Sequence, residues 1–164
     1  MVTKDIFRNN MSKFATGVTV ITTLDNDGNV HGMTANAFTS VCLDPPTILV
    51  CVDHRANTYQ FAESRKQFGV NILRETQKDI GAYFARKPED RHDDVHYDHR
   101  VSKQGFPMIG GALTSLGCRV VGSEARGDHT IYIAEVDEIV EGNSGKPLLF
   151  FESKWLATMD SDQP

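Results

Sequence analysis

Cysteine is scarce. The 164-residue chain has three, Cys42, Cys51 and Cys118, an odd number with no Cys-x-x-Cys pair. This excludes a disulfide framework and leads to the expectation of a reducing, cytoplasmic setting. Long apolar runs are missing too. The longest, Thr47 to Val52 and Pro147 to Phe151, are strand-sized, far short of the ~20 residues that cross a bilayer. The opening Met1-Val2-Thr3-Lys4-Asp5 lacks the charged-then-apolar pattern of a secretory leader. There is no basic surplus: 17 Lys and Arg stand against 22 Asp and Glu, a formal net charge of -5. That balance argues against nucleic acid and against a polybasic membrane anchor. Also absent are the Gly-x-Gly-x-x-Gly dinucleotide fingerprint, a P-loop, a Gly-x-Ser-x-Gly elbow and His-Glu-x-x-His.

What is present is the composition of one globular domain, 40% hydrophobic and 24% charged, spread over residues 1–164. Thr3 to Phe14 places Ile6, Phe7, Asn10, Met11 and Phe14 at helical spacing, so a short helix is expected to pack Phe7 and Phe14 inward. The β-branched run Val18 to Leu24, the turn Asp25-Asn26-Asp27-Gly28 and the run Val30 to Ala35 predict a hairpin. Strands follow at Phe38 to Leu43, ended by Asp44-Pro45-Pro46, at Thr47 to Val52 and at Phe68 to Leu73. Asn57-Thr58-Tyr59-Gln60 has the form of a capping-box variant opening a helix through Ser64, and a second helix is expected over Thr76 to Ala85. Residues 86 to 107 are a long polar excursion, the kind of loop that often carries function. Strands then recur at Ala112 to Gly122, Ile131 to Val140 and Leu148 to Phe151. Short strands with two or three brief helices suit a mainly β fold, a small antiparallel barrel with helices outside.

Four constellations could carry chemistry. Gly32 to Pro46 is rich in small, hydroxyl and amide residues; Thr34, Asn36, Thr39 and Ser40 could meet the polar edge of a flat heterocycle or simply cap a strand end. Cys51 to Thr58 runs a buried strand into a helix N-terminus, where Arg55, Asn57 and Thr58 could favour a phosphate or merely cap and solvate the helix. Gly127-Asp128-His129 could be a proton shuttle, a contact for a polar ring, or a hairpin turn. His92, His96 and His99 with Asp93, Asp94 and Asp98 could suggest a metal, but the segment reads better as solvated loop, so no metal is expected. The cysteines have no adjacent base, and Cys42 and Cys51 sit in apolar strands, so buried inert thiols are expected.

An ordered set of segments resembles the flavin reductase-like, FMN-binding split-barrel family, and more narrowly the small reductase components of two-component flavin-dependent monooxygenases. The segments are Phe14-Ala15-Thr16-Gly17-Val18-Thr19-Val20-Ile21-Thr22-Thr23, then Gly32 to Val41 with Asp44-Pro45-Pro46, and Phe68-Gly69-Val70-Asn71-Ile72-Leu73 with Gln77 and Phe84. Gly127-Asp128-His129-Thr130-Ile131 and Pro147-Leu148-Leu149-Phe150-Phe151 complete it. The chain departs from the family pattern at Arg91-His92, where many relatives carry Arg-Phe, and at Ser153-Lys154-Trp155, in place of a Gly-x-Tyr. The resemblance implies an antiparallel split β-barrel and reduction of free FMN or FAD by NADH or NADPH. It also implies a homodimer and an oxygenase component that receives the reduced flavin. By the same resemblance Met33, Thr34, Ala35, Asn36 and Ala37 line the flavin, and Ser40, Cys51, Val52 and Asp53 follow the same groove. Ala56, Asn57 and Thr58 hold the phosphate, Phe84, Arg86 and Arg91 close the far side, and His129 meets the nicotinamide as the catalytic residue. The alternative on the same barrel is a non-enzymatic flavin-binding electron carrier.

Overall fold

The β-branched run after Gly17 becomes a central strand. All six residues of Thr19–Leu24 are buried, as expected of side chains that favour a pleated surface packed on both faces. A computed structural model describes residues 1–92 and 94–158. In chain order the elements are α1 (Lys4–Met11), β1 (Thr16–Gly17), β2 (Thr19–Leu24), β3 (Val30–Ala35), β4 (Phe38–Leu43) and β5 (Pro46–Asp53). Then come α2 (Asn57–Arg65), β6 (Gln67–Ile72), α3 (Lys78–Ala85), β7 (His99–Val101), β8 (Pro107–Ile109), β9 (Thr114–Arg126), β10 (His129–Glu141), β11 (Leu148–Phe151) and β12 (Lys154–Ala157).

The main sheet has seven strands in the order β3-β2-β6-β9-β10-β5-β4, every neighbour pair antiparallel. A three-stranded sheet, β1-β11-β12, and the β7-β8 hairpin accompany it. The fold is mainly β, with short helices flanking the sheets. One face of the main sheet buries Ile21, Val50, Val52, Phe68, Val70, Cys118 and Tyr132. A second cluster of Val18, Val20, Leu73, Phe84, Ile109 and Leu148 lies beneath α3 and β11. Asn71, fully buried, joins the layers. Its Nδ2 donates to Val20 O and Thr22 Oγ1, each at 3.0 Å, and its Oδ1 accepts from Ile109 N at 2.8 Å and Ser115 Oγ at 2.7 Å.

Helix α3 seats on β3 at two points. Thr34 Oγ1 donates to Gly81 O at 2.6 Å. Gly32 lets the Phe84 ring lie flat against the strand, since a Cβ there would sit 2.9 Å from the ring.

Several expectations are corrected. No residue of α1 is buried, and Phe7 and Phe14 are 62% and 70% exposed rather than packed inward. Helix α2 is capped at Ala56, not Asn57, with no side-chain cap bond, so the expected capping box does not form. The polar excursion is not featureless; it contains a 3-10 turn at Pro88–Asp90 and β7. Cys42 is exposed instead of buried, because β4 is an edge strand whose outer face is uncovered. Strand β12, pairing Trp155 with Phe150, was not expected at all.

Candidate functional site

The hydrogen-bonded ladder is interrupted between β3 and β5. Strand β4 runs along β5 as far as Phe38 opposite Val50, and the last bond is Cys51 N to Ala37 O at 3.0 Å. Among the described residues β3 pairs only with β2, and the main chain of Val52 and Asp53 has β10 on one side and no described strand on the other. A cleft of about 430 Å³ occupies this region, lined by Met33, Thr34, Asp53, Arg55, Ala56, Phe84, Arg86 and Arg91, with Lys87, Pro88 and Glu89 at its rim. The chain passes from it into a second hollow of about 370 Å³, lined by Asn36, Ala37, Cys51, Phe38, Thr16 and the exposed Met11 and Phe14.

The structure thus brings ten of the expected residues to two adjoining hollows: Met33, Thr34, Asp53, Ala56, Phe84, Arg86 and Arg91 in one, Asn36, Ala37 and Cys51 in the other. Asn57 and Thr58 occupy the first turn of α2 beside Ala56, where no side chain caps the helix. Thr58 is buried and the Tyr59 amide donates to Ala56 O at 2.9 Å, so the helix dipole and the Asn57 and Thr58 amides are what favour an anion at that end. Three residues are placed differently from the rest. Ala35 is buried and its carbonyl accepts from Thr19 Oγ1 at 2.7 Å. The Val52 side chain is wholly buried in the core, so only its main chain faces the gap. Ser40 is exposed on β4 and lines neither hollow.

His129 stands opposite Asp53 in the β5–β10 register, and directly opposed residues project from the same face of a sheet. Its Nδ1–H donates to Asp128 Oδ1 at 2.7 Å, leaving Nε2 for other partners. Asp53 accepts from Arg55 N at 2.8 Å and Arg55 Nη2 at 2.6 Å. Those bonds, with minor help from the His129 charge, hold the Asp53 carboxyl down at about 2, while the carboxylate raises the Arg55 pKa. Asp128 is likewise held low, chiefly by His129. Burial pushes the Cys51 thiol up, away from reactivity.

Sequence reasoning missed the Arg55–Asp53 pair and the contribution of Met11, Phe14 and Thr16 to the second hollow. The first was detectable from two opposite charges flanking a strand end; the second depends on where α1 lands. A larger hollow, about 640 Å³, lies elsewhere, between Arg74 and Met108. Its Arg74 already donates to Gly111 O and Asn143 O, and no expected site residue lines it. His96 and Asp98 approach only to 3.8 Å at an exposed surface. Among the described residues no three His, Cys, Asp or Glu side chains are grouped to hold a metal, and Asp93 lies outside those residues. No helix among the described residues is long and apolar enough to cross a membrane.

The interrupted ladder at Val52 and Asp53 lies beside the uncapped start of α2, with His129 opposite Asp53 in the sheet but lining neither hollow. Residues 11–158 match the flavin reductase like domain, and the chain belongs to that family. It is 37% identical over 161 residues to an NADH-dependent flavin reductase of a Rhodococcus species, covering 96% of this chain and 89% of that protein. It is 38% identical over 149 residues to the reductase component of the 4-nitrophenol 4-monooxygenase/4-nitrocatechol 2-monooxygenase of Rhodococcus opacus, covering 91% of this chain and 78% of that protein. The solved flavin reductase PheA2 in its native state superposes with a TM-score of 0.86 at 42% identity, covering 97% of this chain and all of that one. These relatives support oxidoreductase activity in general for this chain.

Proposed function

We propose that this protein reduces free flavin, FMN or FAD, with NADH or NADPH and passes the reduced flavin to a partner monooxygenase. The observation that carries the reading is the open ladder edge at Val52–Asp53, between the Met33–Ala37 strand end and the uncapped start of α2. A flat ring system with a phosphate tail needs such an edge for its polar atoms and such a helix end for its anion. The family resemblance supports a main sheet that curls into a split barrel around this opening, and a chain that forms one domain.

Flavin supplies a ring that accepts hydride at N5 from nicotinamide C4, so the protein's task is placement rather than acid-base chemistry. Asn36 and the main-chain amides around Ala37 meet the polar edge of the ring, where negative charge grows on reduction. Asn57 and Thr58 amides with Arg55 receive the phosphate. His129, oriented by Asp128, steadies the nicotinamide at the rim. Binding between small side chains keeps the flavin exchangeable, which a diffusible product requires. A second copy of the chain is proposed to cover α1, the segment after it and β4, where Ile6, Phe7, Met11, Phe14, Val41 and Leu43 are all exposed.

The deciding experiment is NADH oxidation by the apoprotein as FMN, then FAD, is added, repeated with NADPH. A rate that saturates with flavin, with reduced flavin accumulating without oxygen, is the expected result. No flavin-dependent rate with either donor would replace the enzyme by a flavin-binding electron carrier. His129→Ala should slow hydride transfer about tenfold, as expected for a lost orienting contact, while flavin affinity stays near that of the wild type. An unchanged transfer rate in stopped-flow would remove His129 from the reaction.

A further inference from the structure

Arg91 was expected to bind the flavin's tail, yet its guanidinium is turned onto the protein's own main chain. Its Nη1 donates to Gly32 O at 2.9 Å, its Nη2 to Phe84 O at 3.1 Å and Arg86 O at 2.9 Å, and its Nε also to Arg86 O at 3.1 Å. The same plane lies over the rings of Tyr83 and Phe84, at 5.7 and 5.4 Å. Phe84 O belongs to the last turn of α3 and Arg86 is its C-cap, a helix end whose carbonyls have no helical donor and favour a cation. Gly32 O belongs to the sheet's edge strand β3. One side chain thus ties the end of α3 to β3, which pack on each other and both contribute to the lining of the 430 Å³ cleft.

We propose that Arg91 is a positioning residue that holds the packed α3–β3 pair lining the flavin cleft in place and takes no part in binding phosphate. This rests on the flavin reading above. Burial lowers its pKa, in keeping with a guanidinium withdrawn from solvent, although an arginine stays charged. The other arginines of the cleft are differently engaged: Arg55 pairs with Asp53, and Arg86 pairs with Asp94 at 2.7 Å. A lysine at 91 would keep the charge, but an ammonium on a flexible stem cannot span three carbonyls in one plane.

The test compares Arg91→Lys and Arg91→Ala with the wild type. Dissociation constants are measured for riboflavin, which has no phosphate, and for FMN, by flavin fluorescence quenching. Amide hydrogen exchange is followed over residues 84–91. Both variants should lose about tenfold in affinity for both flavins, the size of a lost charged hydrogen-bond set, and exchange in 84–91 should quicken in both. Weaker FMN binding with riboflavin unchanged, or wild-type behaviour in Arg91→Lys, would overturn the proposal and make Arg91 a charge that reads phosphate. If the wild type binds neither flavin, the functional reading fails separately. The exchange data then decide alone: unchanged protection of 84–91 in both variants overturns the tie between α3 and β3.

Discussion

Asn71 sits where a core would ordinarily place an apolar residue, and it is held there because each of its amide's polar atoms has two partners, drawn from the three strands β2, β8 and β9. Replacing it by leucine preserves volume but strands the Ile109 amide, the Ser115 hydroxyl and the Val20 carbonyl in a buried layer. Asn71→Leu should lower stability by about 3 kcal/mol, read from the midpoint of urea unfolding; a midpoint within error of wild type would mean water reaches these groups. Asp53 gives a pH prediction. A carboxyl held below its unfolded value stabilises the fold above that value and loses the contribution as pH falls through the folded one. For Asp53 the window runs from the ordinary 3.8 down to about 2. A 13C titration of its carboxyl should show that low midpoint, and Arg55→Ala should return it toward 3.8; a midpoint unmoved by the substitution would sink the pairing. At this scale the sequence was readable wherever composition was unusual. Of the small polar stretch from Gly32 to Pro46, Thr34, Asn36 and Thr39 line the hollows and Ser40 does not, and the Thr34 hydroxyl already bonds α3. Grouping Cys51, Val52 and Asp53 by family analogy overrode strand alternation, which puts Val50 and Val52 on the core face and the other two opposite.

The expected strands of the main sheet all appear, because their β-branched runs and the Asp25–Gly28 turn speak through local chemistry. Strands β1, β7 and β8 escaped, and so did β12. It follows β11 through a two-residue turn, Glu152-Ser153, with both residues at positive φ, 46° and 60°. Such turns normally announce themselves by Asn-Gly or Gly-Gly, and neither glutamate nor serine is comfortable there. Changing the pair to Asn-Gly should relieve that strain and stabilise the β11–β12 hairpin by about 1 kcal/mol, seen as a higher midpoint in thermal unfolding. A drop would show that the Glu152 and Ser153 side chains matter more than their backbone. The contact between α3 and β3 depends on the missing side chain of Gly32. Gly32→Ala would drive a Cβ to 2.9 Å from Phe84, a ring only 3% exposed with little room to retreat. The expected cost is about 2 kcal/mol, with Phe84 and Tyr83 ring resonances shifting in NMR; unshifted resonances would show that the strand, not the helix, gives way. Close approach of this kind is invisible in sequence, since the glycine and the ring are far apart along the chain.

Helix α1 shows what a single chain's sequence leaves open at the level of the whole molecule. Ile6, Phe7 and Met11 do fall on an amphipathic helix, as the periodicity predicts, with Phe14 beyond its Met11 end, yet all four are uncovered. Periodicity reports that a face seeks burial; it carries no information on whether its own core or another chain supplies it. Val41 and Leu43 on the edge strand β4 are 53% and 90% exposed, adding to an apolar surface that a monomer rarely tolerates. Met11 and Phe14 also line the hollow that holds Asn36 and Cys51, so the proposed second copy would complete the flavin site as well as bury the patch. Dimerisation and flavin affinity should then fall together. Phe14→Glu places a charge at the centre of the apolar surface and should weaken self-association about 100-fold, the scale of a buried aromatic anchor. Sedimentation equilibrium would show the wild type as a dimer at micromolar concentration and the variant as a monomer with unchanged circular dichroism. Flavin binding by the wild type should weaken on dilution below the dimer constant. A wild type that is monomeric at micromolar concentration would refute the arrangement, and a monomeric variant that binds flavin normally would confine the site to one chain.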